Sequence, residues 1–495
     1  MGQIGSRADR FVTGWWPWVL VVVVALIVRG PFLFYFGMSS DAYDNSQQLP
    51  QYGFLASEGR PGAYLLLRLL NGLGIFGPIA QYANILLGVP LLCAAAILLW
   101  RSALVWSARG CVAIMVGTIL FVAHPYQTEI LTFRDAVPFF AVSTWLGCAG
   151  YYCATLSGRG RFALGVVMIA AGLAVYQTFL NFLVIVWLMT VVLAYAAPTR
   201  LHDDLRPDLR KVVRTGLFAI ITACVVYVIT NRLVDLLTAV HRGKRVRLIA
   251  PTDIPARIND FWTVIKSLLG GDMIVSAPIA SVATTALLGV AVAIYLWFGR
   301  SVVRFLLVPV AFALALVASI GVAGVGSGFW PMPRVLVGYA LLPAFGAISL
   351  LLLVRGAGLQ RWIVAVCAVL TLAYTAIGAT VAADQVRVNA RDVTMATLIA
   401  ARVSLTPHRH LAIVGGPRIG YNVETYRGDM NQSAYWKQWS QVRVISEALG
   451  YPIDAATEEE RVKAVAYCMQ AETWPAQGST SMLGGNLAVV CFSRS

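Results

Sequence analysis

The chain has 495 residues, of which 59% are hydrophobic and only 12% charged, with a mean hydropathy of +0.73 and a formal net charge of +15. Soluble domains carry about 45–50% apolar and about 25% charged residues, so this composition excludes an ordinary soluble enzyme and points to an all-α polytopic membrane protein. The apolar runs are continuous, which excludes a lipid-spanning barrel built from alternating strands, and a basic excess in such a chain belongs on cytosolic loops rather than on nucleic acid.

At roughly 20 residues per span, about eleven spans are expected, near 15–36, 78–100, 110–124, 136–156, 162–177, 179–197, 215–236, 278–299, 303–325, 333–354 and 360–382. The first is long enough to cross and lacks a small-residue exit site, so it reads as a retained span rather than a cleaved signal. Placing Arg7 and Arg10 in the cytosol puts at least two cations in every cytosolic loop: Arg101 and Arg109; Arg159 and Arg161; Arg200, Arg206, Arg210, Lys211 and Arg214; Arg300 and Arg304; Arg355 and Arg361. That satisfies the positive-inside bias and leaves the C-terminal end outside. The expected division is a membrane module over 1–382, with outer loops at 37–77 and 237–277, and a small outer α/β domain over 383–495.

Directly after the first run comes the polar stretch Met38-Ser39-Ser40-Asp41-Ala42-Tyr43-Asp44-Asn45, then Gly59-Arg60-Pro61-Gly62. Gly37 reads as a helix C-cap. Asp41 and Asp44, three residues apart, share a face if the next turn is helical. A carboxylate beside an apolar wall can be tuned to act as a general base. Arg60 and Arg68 fall on one surface helix, expected over 60–73. A polar hinge follows at His124-Pro125-Tyr126-Gln127-Thr128-Glu129, continuing to Arg134-Asp135. Tyr176-Gln177-Thr178 and Asn181 lie between spans five and six, and Trp330-Pro331-Met332-Pro333-Arg334 precedes span ten. All five segments fall on one side of the membrane in this topology, and ionisable residues there are functional candidates. The outer loop at 237–277 departs from the orientation bias with Arg242, Lys244, Arg245 and Arg247, a cluster suited to a lipid phosphate or to anionic headgroups. Residues 261–269 read as an interfacial amphipathic helix.

In the C-terminal part, 384–403 reads as a helix, and 411–414 and 487–490 as buried strands. Thr457-Glu458-Glu459-Glu460 is a capping box opening a helix that runs through Gln470. Cys468 and Cys491 can form a disulfide if this part faces an oxidising compartment; the pairing stays open at this stage. The other cysteines sit in or beside apolar runs and have no metal-ligand spacing.

Together these residues resemble the Gtr-type O-antigen-modifying glucosyltransferases. Ser40-Asp41, with Gly59-Arg60-Pro61 opening Tyr64-Leu65-Leu66-Leu67-Arg68-Leu69-Leu70-Asn71, looks like that family's N-terminal signature. His124-Pro125 with Leu131-Thr132-Phe133-Arg134-Asp135 resembles its NP…LSYRFD segment, and Tyr176-Gln177 its YQ pair. Ser40 stands where the family has a first acid, and Asp44 where a basic residue is expected. The likeness implies a GT-C-like fold and an inverting transferase of the bacterial inner membrane. Such an enzyme moves glucose or another hexose from polyprenyl phosphate, typically undecaprenyl phosphate, to a lipid-linked or polymeric cell-envelope glycan such as the O-antigen of lipopolysaccharide. It further implies catalysis at the periplasmic face, with Asp41 as base. On this reading Asp41 and Asp44 are the catalytic pair. Arg60, Arg68, Arg134, Arg242, Lys244, Arg245, Arg247 and Arg334 are candidates for the donor phosphate, and Tyr43, His124, Glu129, Asp135, Tyr176 and Gln177 for the sugars. No cofactor is assigned with certainty, and assistance by Mg2+ or Mn2+ is left open. The competing readings are a flippase or transporter for a lipid-linked glycan, which calls for polar groups at the bilayer midplane and internal repeats, and an O-antigen polymerase or ligase.

Overall fold

The computed structural model describes residues 15–45, 52–74, 80–197, 199–238, 248–270, 278–298, 302–416, 423, 425 and 430–493. The helices follow the apolar runs, because in lipid a segment must satisfy its own backbone groups. In chain order they are α1 (Trp16–Val28), α2 (Gly30–Phe34), α3 (Ser40–Asn45), α4 (Tyr52–Ser57), α5 (Pro61–Gly72), α6 (Gln81–Arg101), α7 (Ala108–Ala123), α8 (Thr128–Thr132), α9 (Val137–Thr155), α10 (Arg159–Val175), α11 (Phe179–Ala196), α12 (Leu209–Thr238), α13 (Ile254–Gly270), α14 (Pro278–Phe298), α15 (Val302–Val325), α16 (Leu341–Leu353) and α17 (Ala357–Arg402). Each of the eleven expected runs is helical over most of its length. Among the described residues five helices are long and apolar enough to cross a membrane, or six if the bent pair α7–α8 counts as one, with α1, α14 and α16 as shorter apolar helices.

The bundle core is built by α9 against α6 and α10, α11 against α15, and α16 against α7, with α1 lying on α6 and α7. Small residues set the closest approach: a Cβ on Gly150 would sit 2.7 Å from Gly165 O on the facing helix. Outward faces stay apolar. On α12 Phe218, Ile221, Val225 and Ile229 are all at least half exposed, which is expensive in water and favourable against acyl chains. The expected amphipathic helix is present as α13. It buries Val264 and Leu268, stacks Phe261 on Phe329, and leaves Ile258 and Trp262 exposed.

At the other end, α17 runs unbroken for 46 residues, through position 383 and into the C-terminal unit. There β1 (His410–Val414), β2 (Asp454–Ala455), β3 (Thr480–Leu483) and β4 (Leu487–Cys491) form a sheet of order β2-β1-β4-β3, parallel except for the β3–β4 hairpin. Alternation along β1 sends Leu411 and Ile413 toward α17, α3 and α18 (Gln438–Leu449). Ala412 and Val414 face α19 (Glu458–Gln470). The capping box forms as the sequence predicts: Thr457 Oγ1 accepts from Glu460 N at 3.3 Å and Glu460 Oε2 accepts from Thr457 N at 2.8 Å. That backbone hydrogen bond, aided by His410 at 2.8 Å, holds the Glu460 carboxyl below its ordinary value. Cys468 of α19 and Cys491 of β4 are joined in a disulfide with their Cα atoms 5.4 Å apart.

Candidate active site

The site is assembled around the elbow between α2 and α3. The chain turns extended at Tyr35, so Gly37 is not the helix cap its position predicts. Its lack of a side chain serves close packing instead: a Cβ there would lie 2.5 Å from Gln385 Oε1 on α17. Asn389, one turn further along α17, grips the next peptide on both sides. Met38 N donates to Asn389 Oδ1 at 2.8 Å, and Asn389 Nδ2 donates to Met38 O at 2.9 Å. Ser39 then caps α3, its Oγ accepting from Ala42 N at 3.1 Å. Asp41 therefore sits in the first turn of a fixed short helix, partly buried, with Oδ1 accepting from Trp439 Nε1 at 3.2 Å. Tyr43, expected among the sugar-binding groups, is 2% exposed and packs in the core shared by α3, α17 and α18. The side chain of Asp44 lies outside the described residues.

One candidate cation, Arg134, joins this region, and a second, Arg60, belongs to a separate unit. Arg134 is 2% exposed; its Nη1 donates to Gln81 Oε1 at 2.6 Å, and the same oxygen faces Gly37 N at 3.4 Å. Asn84 Nδ2 holds the Arg134 carbonyl at 3.1 Å, while Nε and Nη2 of Arg134 have no hydrogen-bond partner among the described residues. Arg60 opens α5 and donates to Gln177 Oε1 at 3.2 Å, its guanidinium 4.4 Å from the Tyr176 ring centre. Gln177 Nε2 in turn holds Gly59 O at 2.8 Å, and Tyr227 OH donates to the same carbonyl at 2.9 Å. The Gly-Arg-Pro turn and the Tyr-Gln pair, 117 residues apart, thus meet as one unit.

The remaining candidates divide differently. Arg334 is committed to Glu129: its Nη1 donates to Oε1 at 2.6 Å and its N to Oε2 at 2.5 Å, with the guanidinium stacked near Phe133 and Trp330. His124 is buried among Tyr126, Tyr339 and Tyr374, its Nδ1 accepting from Tyr126 N at 3.2 Å. Arg68 lies on the exposed side of α5 with Tyr64, whose OH accepts from its Nε at 2.9 Å, away from the other candidates. Asp135 is buried beside Arg134 in sequence, yet the Arg134 guanidinium bonds to Gln81 rather than to it. Arg242, Lys244, Arg245 and Arg247 lie outside the described residues. Asn181 bridges helices: Nδ2 donates to Ser319 O and Val335 O, and Oδ1 accepts from Val322 N beside the kink at Gly321.

Sequence reasoning missed Arg29, which lies inside an apolar run and is 1% exposed. It fastens the break between α7 and α8, where the axis bends by 52°. Its Nε donates to Val122 O at 2.9 Å, Nη2 to His124 O at 2.9 Å, and Nη1 to Thr128 Oγ1 at 3.1 Å. A helix end inside a bundle leaves its last carbonyls without partners, and this guanidinium supplies them. The available signal was a lone cation within a span, which is a site candidate by default. Arg29→Met strands the buried Val122 carbonyl and takes one of two donors from His124 O, which keeps Gln127 N at 2.9 Å, and is expected to destabilise the protein by roughly 1–3 kcal/mol. Unfolding of the detergent-solubilised protein by SDS titration measures it.

Six of the fifteen buried side-chain polar atoms without a hydrogen-bond partner among the described residues are Asn84 Oδ1, Gln127 Nε2 and Oε1, Arg134 Nε and Nη2, and Gln385 Oε1, whereas buried polar atoms are normally paired. No group of three or more His, Cys, Asp or Glu side chains arranged for a metal ion occurs among the described residues.

No curated protein matches the sequence. The family described as glucosyl transferase GtrII matches residues 30–351, from the residue after Arg29 to the end of α16, and so takes in the elbow, the Arg60–Gln177 unit, the broken helix and the Glu129–Arg334 pair. With well over half of its length in that match, the chain belongs to the GtrII glucosyl transferase family.

Proposed function

We propose that the protein transfers glucose, or a related hexose, from polyprenyl phosphate to a cell-envelope glycan such as O-antigen, at the periplasmic face of the bacterial inner membrane. Asp41 takes the proton from the acceptor hydroxyl, and that oxygen bonds to the anomeric carbon from the face opposite the phosphate. The anomeric C–O bond breaks, and polyprenyl phosphate leaves with the electron pair, so the configuration inverts. Arg134 offers two unengaged donors to the phosphate and stabilises its growing charge. Arg60 stands as a second cation at the start of α5. Arg334 is bound to a carboxylate and serves the scaffold instead.

The observation that carries this reading is the Gln81 carbonyl. It touches both the Arg134 guanidinium and the backbone four residues before Asp41, so a phosphate-type donor set and a carboxylate share one rigid support. The Cys468–Cys491 disulfide supports an oxidising compartment for the C-terminal unit. With the N-terminus in the cytoplasm, an outer C-terminal unit calls for an odd number of spans.

The test is to supply the purified protein, reconstituted in vesicles, with polyprenyl-phospho-glucose and host envelope glycan. The expected result is one free polyprenyl phosphate for each glucose added to the glycan. Movement of intact donor across the vesicle bilayer without cleavage would replace this reading with the transporter one.

A further inference from the structure

We propose that the C-terminal unit, which lies beyond the family match, supplies the acceptor subsite: the indoles of Trp436 and Trp439 form a platform beside Asp41 on which a pyranose ring of the acceptor glycan stacks. The inference rests on the transferase reading and extends it to the half of the reaction that the matched region leaves unassigned.

The segment 434–442 alternates sharply. Ala434, Tyr435, Ser440, Gln441 and Val442 are buried, whereas Trp436 and Trp439 are 49% and 51% exposed. Large indoles held half in solvent at the edge of a tight core are a cost unless something covers them. The one described polar partner of the Trp439 ring nitrogen is Asp41, across 398 residues of sequence. Trp439 therefore adjoins the carboxylate that would deprotonate the acceptor, and Trp436 lies three residues before it. A sugar ring presents an apolar C–H face and a polar rim of hydroxyls. Laid on these rings, it directs its rim toward Asp41, and a general base needs a hydroxyl within about 2.6–3.2 Å. Lys437 Nζ lies 5.4 Å from the Trp439 ring centre.

The backing is rigid, as a subsite requires. Asp392 of α17, fully buried, accepts from Ser433 Oγ at 2.6 Å and from Ala434 N at 2.8 Å. Gln441 Nε2 donates to Tyr435 O at 2.8 Å, and Ser440 Oγ to Ala434 O at 2.7 Å. The same helix α17 grips Met38 through Asn389. One element thus fixes both the base and the platform, and their relation is set before substrate arrives.

The experiment uses full-length protein and its Trp436→Ala, Trp439→Ala and Trp439→Phe variants. Oligosaccharide released from the host's own envelope polysaccharide is the acceptor, and polyprenyl-phospho-glucose the donor. Each alanine variant is expected to raise the acceptor KM about ten-fold, the worth of one aromatic contact, with donor KM unchanged. Trp439→Phe keeps the stacking surface but loses the N–H on Asp41, so it is expected to hold acceptor KM and lower kcat. Quenching of tryptophan fluorescence by the oligosaccharide alone reads the platform without any donor. It is expected in the wild type and weakened in both alanine variants, so the subsite is decided even if no transfer from the lipid donor occurs and the transferase reading falls. Unchanged acceptor KM and unchanged quenching in both alanine variants would overturn the inference. Strong quenching by brominated lipid in that case would assign the two indoles to the membrane interface.

Discussion

Exchanging Asp41 for Asn is expected to lower kcat by about 10²–10⁴-fold, the usual worth of a positioned general base, while leaving the fold and the donor KM unchanged. The variant is well controlled, because an Asn side-chain carbonyl still accepts from Trp439 Nε1, and α3 is capped by Ser39 rather than by Asp41. Single-turnover measurements with polyprenyl-phospho-glucose separate the chemical step from binding. Near-normal turnover in this variant would remove Asp41 from the mechanism. The base would then have to be sought elsewhere on the same face, where Glu129 is already committed to Arg334.

That pair gives the second large effect. Glu129 is 0% exposed and bonds to both the backbone and the guanidinium of Arg334, tying the short helix α8 to the segment before α16. Removing one partner of a buried ion pair leaves a charge uncompensated, at about 3–5 kcal/mol. Glu129→Gln is therefore expected to destabilise by that amount in SDS-titration unfolding. Replacing both residues with apolar ones of similar volume should recover much of the loss. A Glu129→Gln protein of normal stability but without turnover would move this carboxylate from the scaffold to the chemistry.

Much of the architecture could be read from run lengths alone, because lipid admits only segments that close their own hydrogen bonds. The capping box at Thr457 and the strands near 411 and 487 were legible for the same reason: their signals are local. The sequence placed Arg60 and Gln177 among the segments of one expected membrane face without pairing them, and the hydrogen bond between them is a finding of the structure. What escaped were contacts that local pattern cannot encode. Arg29, inside an apolar run, drew no reading from the sequence, yet it supplies a donor to the end of another helix 93 residues away. Gly37 carried a C-cap signature, but the approach of Gln385 from α17 explains it. The apolar part of α17 and its polar continuation read as two elements, since composition changes at residue 383 while the backbone does not. The Trp439–Asp41 hydrogen bond joins two elements that no sequence pattern relates.

The unbroken α17 has a mechanical consequence. At about 1.5 Å per residue it is a rod of about 69 Å, against a hydrocarbon thickness of about 30 Å. Asp384 and Asp392 clamp its far half to the C-terminal unit, Gln385 to the Thr132 carbonyl of α8, and Asn389 to the elbow. A rod with no hinge cannot swing its load; with its apolar half in the bilayer and the tryptophan pair as the acceptor platform proposed above, it would act as a ruler that sets the height at which a sugar residue is presented.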